Sequence, residues 1–380
     1  MSSGRLFCEP RFDRVREVFN RNIASGLDLG ASVAVVEAGH VVVDLWGGFA
    51  TQDKAVPWDA NTITNVYSTT KTMVALVALM LIDRGQITPE DKVAKYWPEF
   101  ASSDKADVTV AQIMSHTSGL PAWDPEFVLS DLYDWQRATS RLAESAPWWT
   151  PGTASGYHML TYGHLIGEVV RRVTGATLGQ YFRTEVALPL NIDFQIGLPS
   201  VDFSRVAPVF LGEGERMAVA DRAQDSMFVR VLNSPDIGGV GTVSTTAWRQ
   251  AEIGAANGHG NARSVALAQS AITNGGVIGG KRLLSPSTIE LASKEQIDGI
   301  DLVLGIPFRF GLGYALSSPH YPIHSKEKVM YWGGFGGSRV INLPERGVTF
   351  AYVMNKLRPG AILGEPRGDD LFTALLECLN

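Results

Sequence analysis

The spacing of apolar positions changes twice along this 380-residue chain. Near the start, Phe12, Val15, Val18, Phe19 and Ile23 recur at three- and four-residue intervals, which predicts a helix over residues 10–25 with one buried face. "ASVAVVEAGHVVVDLWGG" follows, with two β-branched runs either side of a tight EAGH turn, and predicts a hairpin over residues 31–48. The same texture returns late, in "KVMYWGG", "SRVINLP" and "VTFAYVM", whose short FGG and ERG connections imply antiparallel neighbours. A last amphipathic stretch, "DDLFTALLECL", predicts a terminal helix. Between these ends, residues 68–84, 130–145, 160–174 and 245–275 carry helical patterning broken by Gly- and Pro-rich loops, without a fixed repeat or a low-complexity tract.

This order predicts an α/β (α+β) fold. Two early strands join three late ones in an antiparallel sheet, flanked by the N- and C-terminal helices, and a mostly helical lobe is inserted between them. The approximate bounds are 1–66 with 276–380 for the sheet lobe and 67–275 for the helical lobe. A cleft between two lobes is where a ligand is expected to bind. The longest apolar run, Met73–Ile82, is ten residues and too short to span a bilayer, so it predicts a buried helix and no membrane span.

Composition narrows the classes. With 45% hydrophobic and 19% charged residues, the chain is expected to be globular and to bury a large core. Its 33 basic and 39 acidic residues give a net charge of −6, and without a basic block this argues against a nucleic-acid partner. The polar opening "MSSGRLFCEPRFDRVREVF" lacks the apolar run of a secretory signal. Cys8 and Cys378, at opposite ends, build no disulfide framework. Together these features predict a cytoplasmic setting with buried or idle thiols.

Candidate chemistry concentrates in "NVYSTTKTMVALVALMLIDRG", where Ser68 and Lys71 precede the apolar run. A lysine in the first turn of a helix sits against the helix dipole and calls for a reason. Residues three apart share a helix face, so Lys71 Nζ can approach Ser68 Oγ. A serine hydroxyl needs a base to become a nucleophile. A desolvated lysine, its pKa lowered, can be that base. Ser68 at the helix start also places its own amide where an oxyanion can be held. A second copy of the spacing, Ser102 to Lys105 in "FASSDKADV", lies in a polar loop that leads into no buried helix, and no chemistry is expected of it.

The histidines point elsewhere. His116, in "SHTSGLP", is expected to stabilise a turn, and His158 to point away from its neighbour Tyr157. "HYPIH" (320–324) has metal-like spacing, but Pro322 breaks the helix that would align its rings. With no H-E-x-x-H either, no metal is predicted. "GGFGGS" leads from one strand into another, so no helix terminus faces a phosphate there.

The surroundings of Ser68 extend the pattern. "GQITPEDKVAKYWPEF", "VTVAQIMSHTSGLP", "PGTASGYHMLTYGHLIGEVV", "GGVGTVSTTAW", "FGLGYAL" and "YWGGFGGSRV" follow in order. The chain thereby resembles the serine β-lactamase and penicillin-binding-protein superfamily, whose nucleophile lies in S-x-x-K at the start of a buried helix. The resemblance implies Ser68 as nucleophile, Lys71 as its partner and Tyr157 as a further proton carrier, with oxyanion amides from Ser68 and Phe335. Two positions depart from the family pattern. Y-x-N has become Tyr157-His158-Met159, and K-T-G has become Trp332-Gly333-Gly334. In this the chain resembles the family VIII carboxylesterases, which implies that Met159, Trp332, Gly333 and Gly334 face substrate; for Trp332, plain strand packing stays equally open. No G-x-S-x-G elbow competes.

The resemblance implies hydrolysis of small carboxylic esters through an acyl-enzyme on Ser68, without a cofactor. Acyl transfer and weak β-lactam or amide hydrolysis use the same site and stay open. So does a catalytically inactive relative that binds a ligand or forms assemblies.

Overall fold

The structure, a computed structural model, describes residues 6–212, 223, 225–319, 323, 327–358 and 365–380. The HYPIH stretch, apart from Ile323, and the first five residues lie outside these.

The two patterned ends of the chain meet in one antiparallel sheet. Its strands are β1 (Phe7–Cys8), β2 (Gly30–Glu37), β3 (His40–Gly48), β4 (Ile297–Ile300), β5 (Pro307–Phe310), β6 (Ala315–Leu316), β7 (Met330–Gly333), β8 (Arg339–Leu343) and β9 (Val348–Met354). The order across the sheet is β1-β3-β2-β9-β8-β7-β6-β5-β4. The predicted hairpin is β2–β3, turning at Ala38 and Gly39, both at positive φ. It joins the late strands where β2 pairs β9, Ser32 opposite Val353. Among the described residues the sheet has nine strands, where the pattern predicts five. The additional ones, β1 and β4 to β6, are two to four residues long, too short to display a period of two.

The principal helices are α1 (Asp13–Ala24), α2 (Thr70–Asp83), α3 (Trp135–Glu144), α4 (Thr161–Thr174), α5 (Ala262–Thr273) and α6 (Pro366–Leu379). Val15, Val18 and Phe19 of α1 are buried, and Asp13 and Arg21 complement the helix dipole at its two ends. α4 ends at Gly175, whose φ of 76° closes the helix as a side chain could not without strain. Both faces of the central strands are covered. Thr349 of β9 meets Thr273 of α5 at 2.9 Å between hydroxyls, while its neighbour Phe350 meets Phe372 of α6 with ring centroids 5.5 Å apart. Successive strand residues point to opposite faces, so α5 and α6 lie on opposite sides. That is why β9 is buried at every position instead of alternating.

The helix predicted over 245–275 is divided. Thr246–Gln250 and α5 are helical, with a short strand, His259–Gly260, between them. Gly258 is the physical reason: a Cβ there would lie 2.6 Å from Thr70 Oγ1 and 2.4 Å from the Phe194 ring. The chain passes too close to the start of α2 for a helix to be accommodated. Among the described residues, no helix is long and apolar enough to cross a membrane. Cys8 and Cys378 are free thiols, both half-buried.

Candidate active site

α2 is buried all round, as its unbroken apolar sequence dictates. From Thr62 to Leu81 every residue is buried except Ser68, which lies in the 3-10 turn Tyr67–Thr69 that leads into the helix. Tyr67 adopts a φ of 46°, a left-handed conformation uncommon outside glycine. Thr70 braces the turn, donating from Oγ1 to Tyr67 O at 2.6 Å and accepting the Gly258 amide at 2.9 Å.

Two side chains converge on Ser68 Oγ. Lys71 Nζ lies 3.2 Å away and the Tyr157 hydroxyl 2.6 Å away. Lys71 is 1% exposed and also donates to two main-chain carbonyls, Met159 O at 2.8 Å and Ala255 O at 2.9 Å. Its Nζ stands 4.7 Å from the centre of the Tyr157 ring. Burial, with no carboxylate partner among the described residues, holds the Lys71 pKa well below the usual lysine range. Burial pushes the Tyr157 phenol upward, opposed in part by the Ser68 hydroxyl and by the Trp332 indole N–H, which approaches without completing a hydrogen bond. Both shifts disfavour charge, so the site favours a neutral amine beside a neutral phenol.

The β7–β8 turn completes the surroundings. A Cβ on Gly334 would fall 2.2 Å from Val66 O, so only glycine lets this turn press against the chain leading to Ser68. Ser338 Oγ ties the two together through Val66 O at 2.8 Å and Thr69 Oγ1 at 3.0 Å. Phe335 sits at the tip, its ring edge-on to Tyr67 at 5.4 Å. Among the described residues, neither the Ser68 nor the Phe335 amide has an acceptor. Trp332 is 2% exposed and packs against Tyr157, Phe310 and Phe308 at 5.1, 5.7 and 5.8 Å, so its contact with the site runs through the tyrosine. Gly333 is buried beside it, and the Met159 side chain is half-exposed.

The remaining candidates are placed apart from Ser68. His116, at φ 62°, accepts the Gly156 amide on its carbonyl at 2.9 Å and the His158 amide on Nδ1 at 3.2 Å. His158 turns to Ser118 Oγ at 2.6 Å, and burial holds its pKa at about 3. Lys105 meets Ser102 only at the main chain. Sequence reasoning missed the carbonyl of Ala255, and that of Met159 in this role. It also missed Asp301, whose Oδ1 accepts the Tyr157 amide at 3.0 Å. Carbonyl acceptors carry no side-chain signature, and Asp301 belongs to no motif. Among the described residues, no group of three or more metal-ligating side chains is gathered.

Comparison with known proteins places this geometry. The Beta-lactamase family model matches residues 19–371. The esterase/β-lactamase LipL of Mycobacterium tuberculosis (strain H37Rv) is 34% identical over 373 residues, covering 95% of this chain and 85% of that protein. The crystal structure of a family VIII carboxylesterase superposes with a TM-score of 0.90 at 38% identity, covering 99% of this chain and all of the other. A penicillin-binding-protein homologue from Caulobacter crescentus gives 0.89 at 37% identity, with coverage of 99% and 100%. The chain belongs to the β-lactamase family and is a hydrolase of that superfamily.

Proposed function

We propose that this protein cleaves small carboxylic esters through an acyl-enzyme on Ser68. The observation that carries the reading is the placement of Ser68 Oγ between Lys71 Nζ at 3.2 Å and the Tyr157 hydroxyl at 2.6 Å. A neutral amine has two N–H bonds and one lone pair. Met159 O and Ala255 O take both N–H bonds, which leaves the lone pair for the Ser68 proton. As Oγ attacks the ester carbonyl, its proton passes to Lys71. The Ser68 and Phe335 amides receive the oxyanion. Tyr157, kept protonated by burial, gives its proton to the departing alkoxide and is reprotonated from the Lys71 ammonium. Water then repeats the sequence on the acyl group.

In the proposed two-lobe division, 1–66 with 276–380 and 67–275, the triad comes from the helical part and Phe335 from the sheet part. α5, within the second range, packs on the sheet. Substrate preference follows from Met159 and Trp332, which supply neither the amide nor the cation that hold a β-lactam's amide and carboxylate in relatives. A charge-assisted contact of that kind contributes about 1.5–3 kcal/mol. Its loss in the transition state lowers kcat/KM roughly tenfold to a hundredfold. The test is kcat/KM for p-nitrophenyl acetate and butyrate beside nitrocefin and a cephalosporin, with esters expected to win by at least that margin. Nitrocefin turnover equal to the ester's sinks the preference and moves the protein toward the β-lactam side of its relatives. Failure to take a fluorophosphonate label at all supports the inactive binder instead.

A further inference from the structure

Tyr157 is not held by an element of its own. Residues 154–158 have no regular structure, so neither a helix nor a strand ladder fixes its main chain. Three consecutive amides are instead claimed from outside. The Gly156 N–H donates to His116 O at 2.9 Å, the Tyr157 N–H to Asp301 Oδ1 at 3.0 Å, and the His158 N–H to His116 Nδ1 at 3.2 Å. The Asp301 oxygen is itself anchored, accepting the amides of Val303 at 3.0 Å and Leu304 at 2.9 Å within the β4–β5 connection. That connection returns to the same stretch through the Leu302 N–H, 2.8 Å from Ser155 O. Asp301 is fully buried, at 0% exposure. A buried carboxylate oxygen that gathers three amides is a rigid post.

We infer that Asp301 is a positioning residue for Tyr157: its carboxylate, fixed in the β4–β5 connection, sets the tyrosine main chain and so the 2.6 Å approach of the phenol to Ser68 Oγ. The inference rests on the proposed role of Tyr157 as a proton carrier. The charge acts as well as the geometry. Among the described residues, the titratable groups around the tyrosine are Lys71 from α2, Tyr162 from α4 and His116 near its ring, and Asp301, the only carboxylate of the four, at its main-chain amide. Burial raises the Asp301 pKa against the amides that hold it down, and in its ionised form Asp301 opposes formation of a phenolate.

The experiment measures kcat and KM per fluorophosphonate-titrated site, across pH, for Asp301→Ala and Asp301→Asn, each alone and combined with Tyr157→Phe. Asp301→Ala is expected to lower kcat by about a hundredfold, the scale of a 1 Å misplacement, with KM little changed. Asp301→Asn keeps an oxygen acceptor and restores most of kcat. With the charge gone, the basic limb of its pH profile moves to lower pH. In the Tyr157→Phe background, Asp301→Ala adds less than about twofold, because the residue it positions has already lost its proton. Losses that multiply independently overturn the inference, as does Asp301→Ala with full kcat per site. If Asp301→Ala does not fold, Asp301→Glu decides: its longer side chain displaces the accepting oxygen, and full kcat per site overturns the inference. Full activity in Tyr157→Phe overturns the reading of Tyr157 itself, a result distinguishable from failure at Asp301.

Discussion

Lys71 and Lys105 each stand three residues after a serine, and both are buried, at 1% and 0% exposure. Both direct Nζ at main-chain carbonyls, and burial lowers the pKa of each, that of Lys105 to about 8. The difference lies in what the serine does. Ser68 presents Oγ to its lysine and, from the other side, to Tyr157. Ser102 turns its Oγ to Ala143 O and offers Lys105 only its carbonyl, at 2.8 Å. Lys105 also reaches Ala143 O and Ser145 O, so its cation closes the C-terminus of α3, where a positive charge is favoured. Spacing and burial are thus shared between a candidate catalytic pair and a helix cap. A third group on the serine oxygen separates them.

The sharpest way to break this comparison is to remove each serine hydroxyl. Ser68→Ala is expected to abolish fluorophosphonate labelling and ester turnover, while Ser102→Ala keeps both. Labelling that survives Ser68→Ala ends the assignment. Next come the partners of Ser68. Lys71→Ala and Tyr157→Phe are each expected to cost about a thousandfold or more in kcat, and the double change little more, because residues that act as one unit are not additive. Two small effects that multiply contradict a shared role. The pH profile sharpens the same point. On the proposed mechanism activity requires the free amine, so kcat/KM is expected to rise with pH through the lowered Lys71 pKa, well below the ordinary lysine range. It falls only where Tyr157 loses its proton, above the ordinary phenol range. An acidic limb in the ordinary lysine range contradicts this assignment.

The smallest effect concerns Lys105. Lys105→Met leaves buried carbonyls without their donor and is expected to cost about 1–3 kcal/mol of stability. It leaves kcat per labelled site unchanged. The folded pKa of about 8 lies below the unfolded lysine value, so the folded state binds fewer protons between them and stability rises with pH across that window. Lys105→Met should reduce this rise, measured as the midpoint of denaturant unfolding against pH. A change in kcat per site places Lys105 in the chemistry after all.

What the sequence made legible follows from how far apart the interacting groups lie. Ser68 and Lys71 are one turn apart, so local geometry alone brings them together. The hairpin β2–β3 and strand β9 announce themselves through long β-branched runs. Tyr157 is 89 residues from Ser68, and only the resemblance to a family singled it out. The Ala255 carbonyl lies 184 residues from Lys71 and is delivered by the close pass at Gly258, which also divides the helix expected there. The motif marks Trp332 as a pocket residue or as plain strand packing, without deciding between them. Its packing behind Tyr157 depends on Phe308 and Phe310, both from the four-residue strand β5, too short to recognise.

Ser68, the one position from Thr62 to Leu81 that is not fully buried, has a consequence for traffic. Ser68 Oγ is flanked by an amine and a phenol, and its chain neighbours are sealed, so molecules reach it from the one side left open. On the proposed mechanism, the alcohol released by the first half-reaction leaves along the approach that water must then use. Any second alcohol present at high concentration competes for that same approach. The balance between hydrolysis and acyl transfer is then set by who queues at the opening, and not by a further catalytic group.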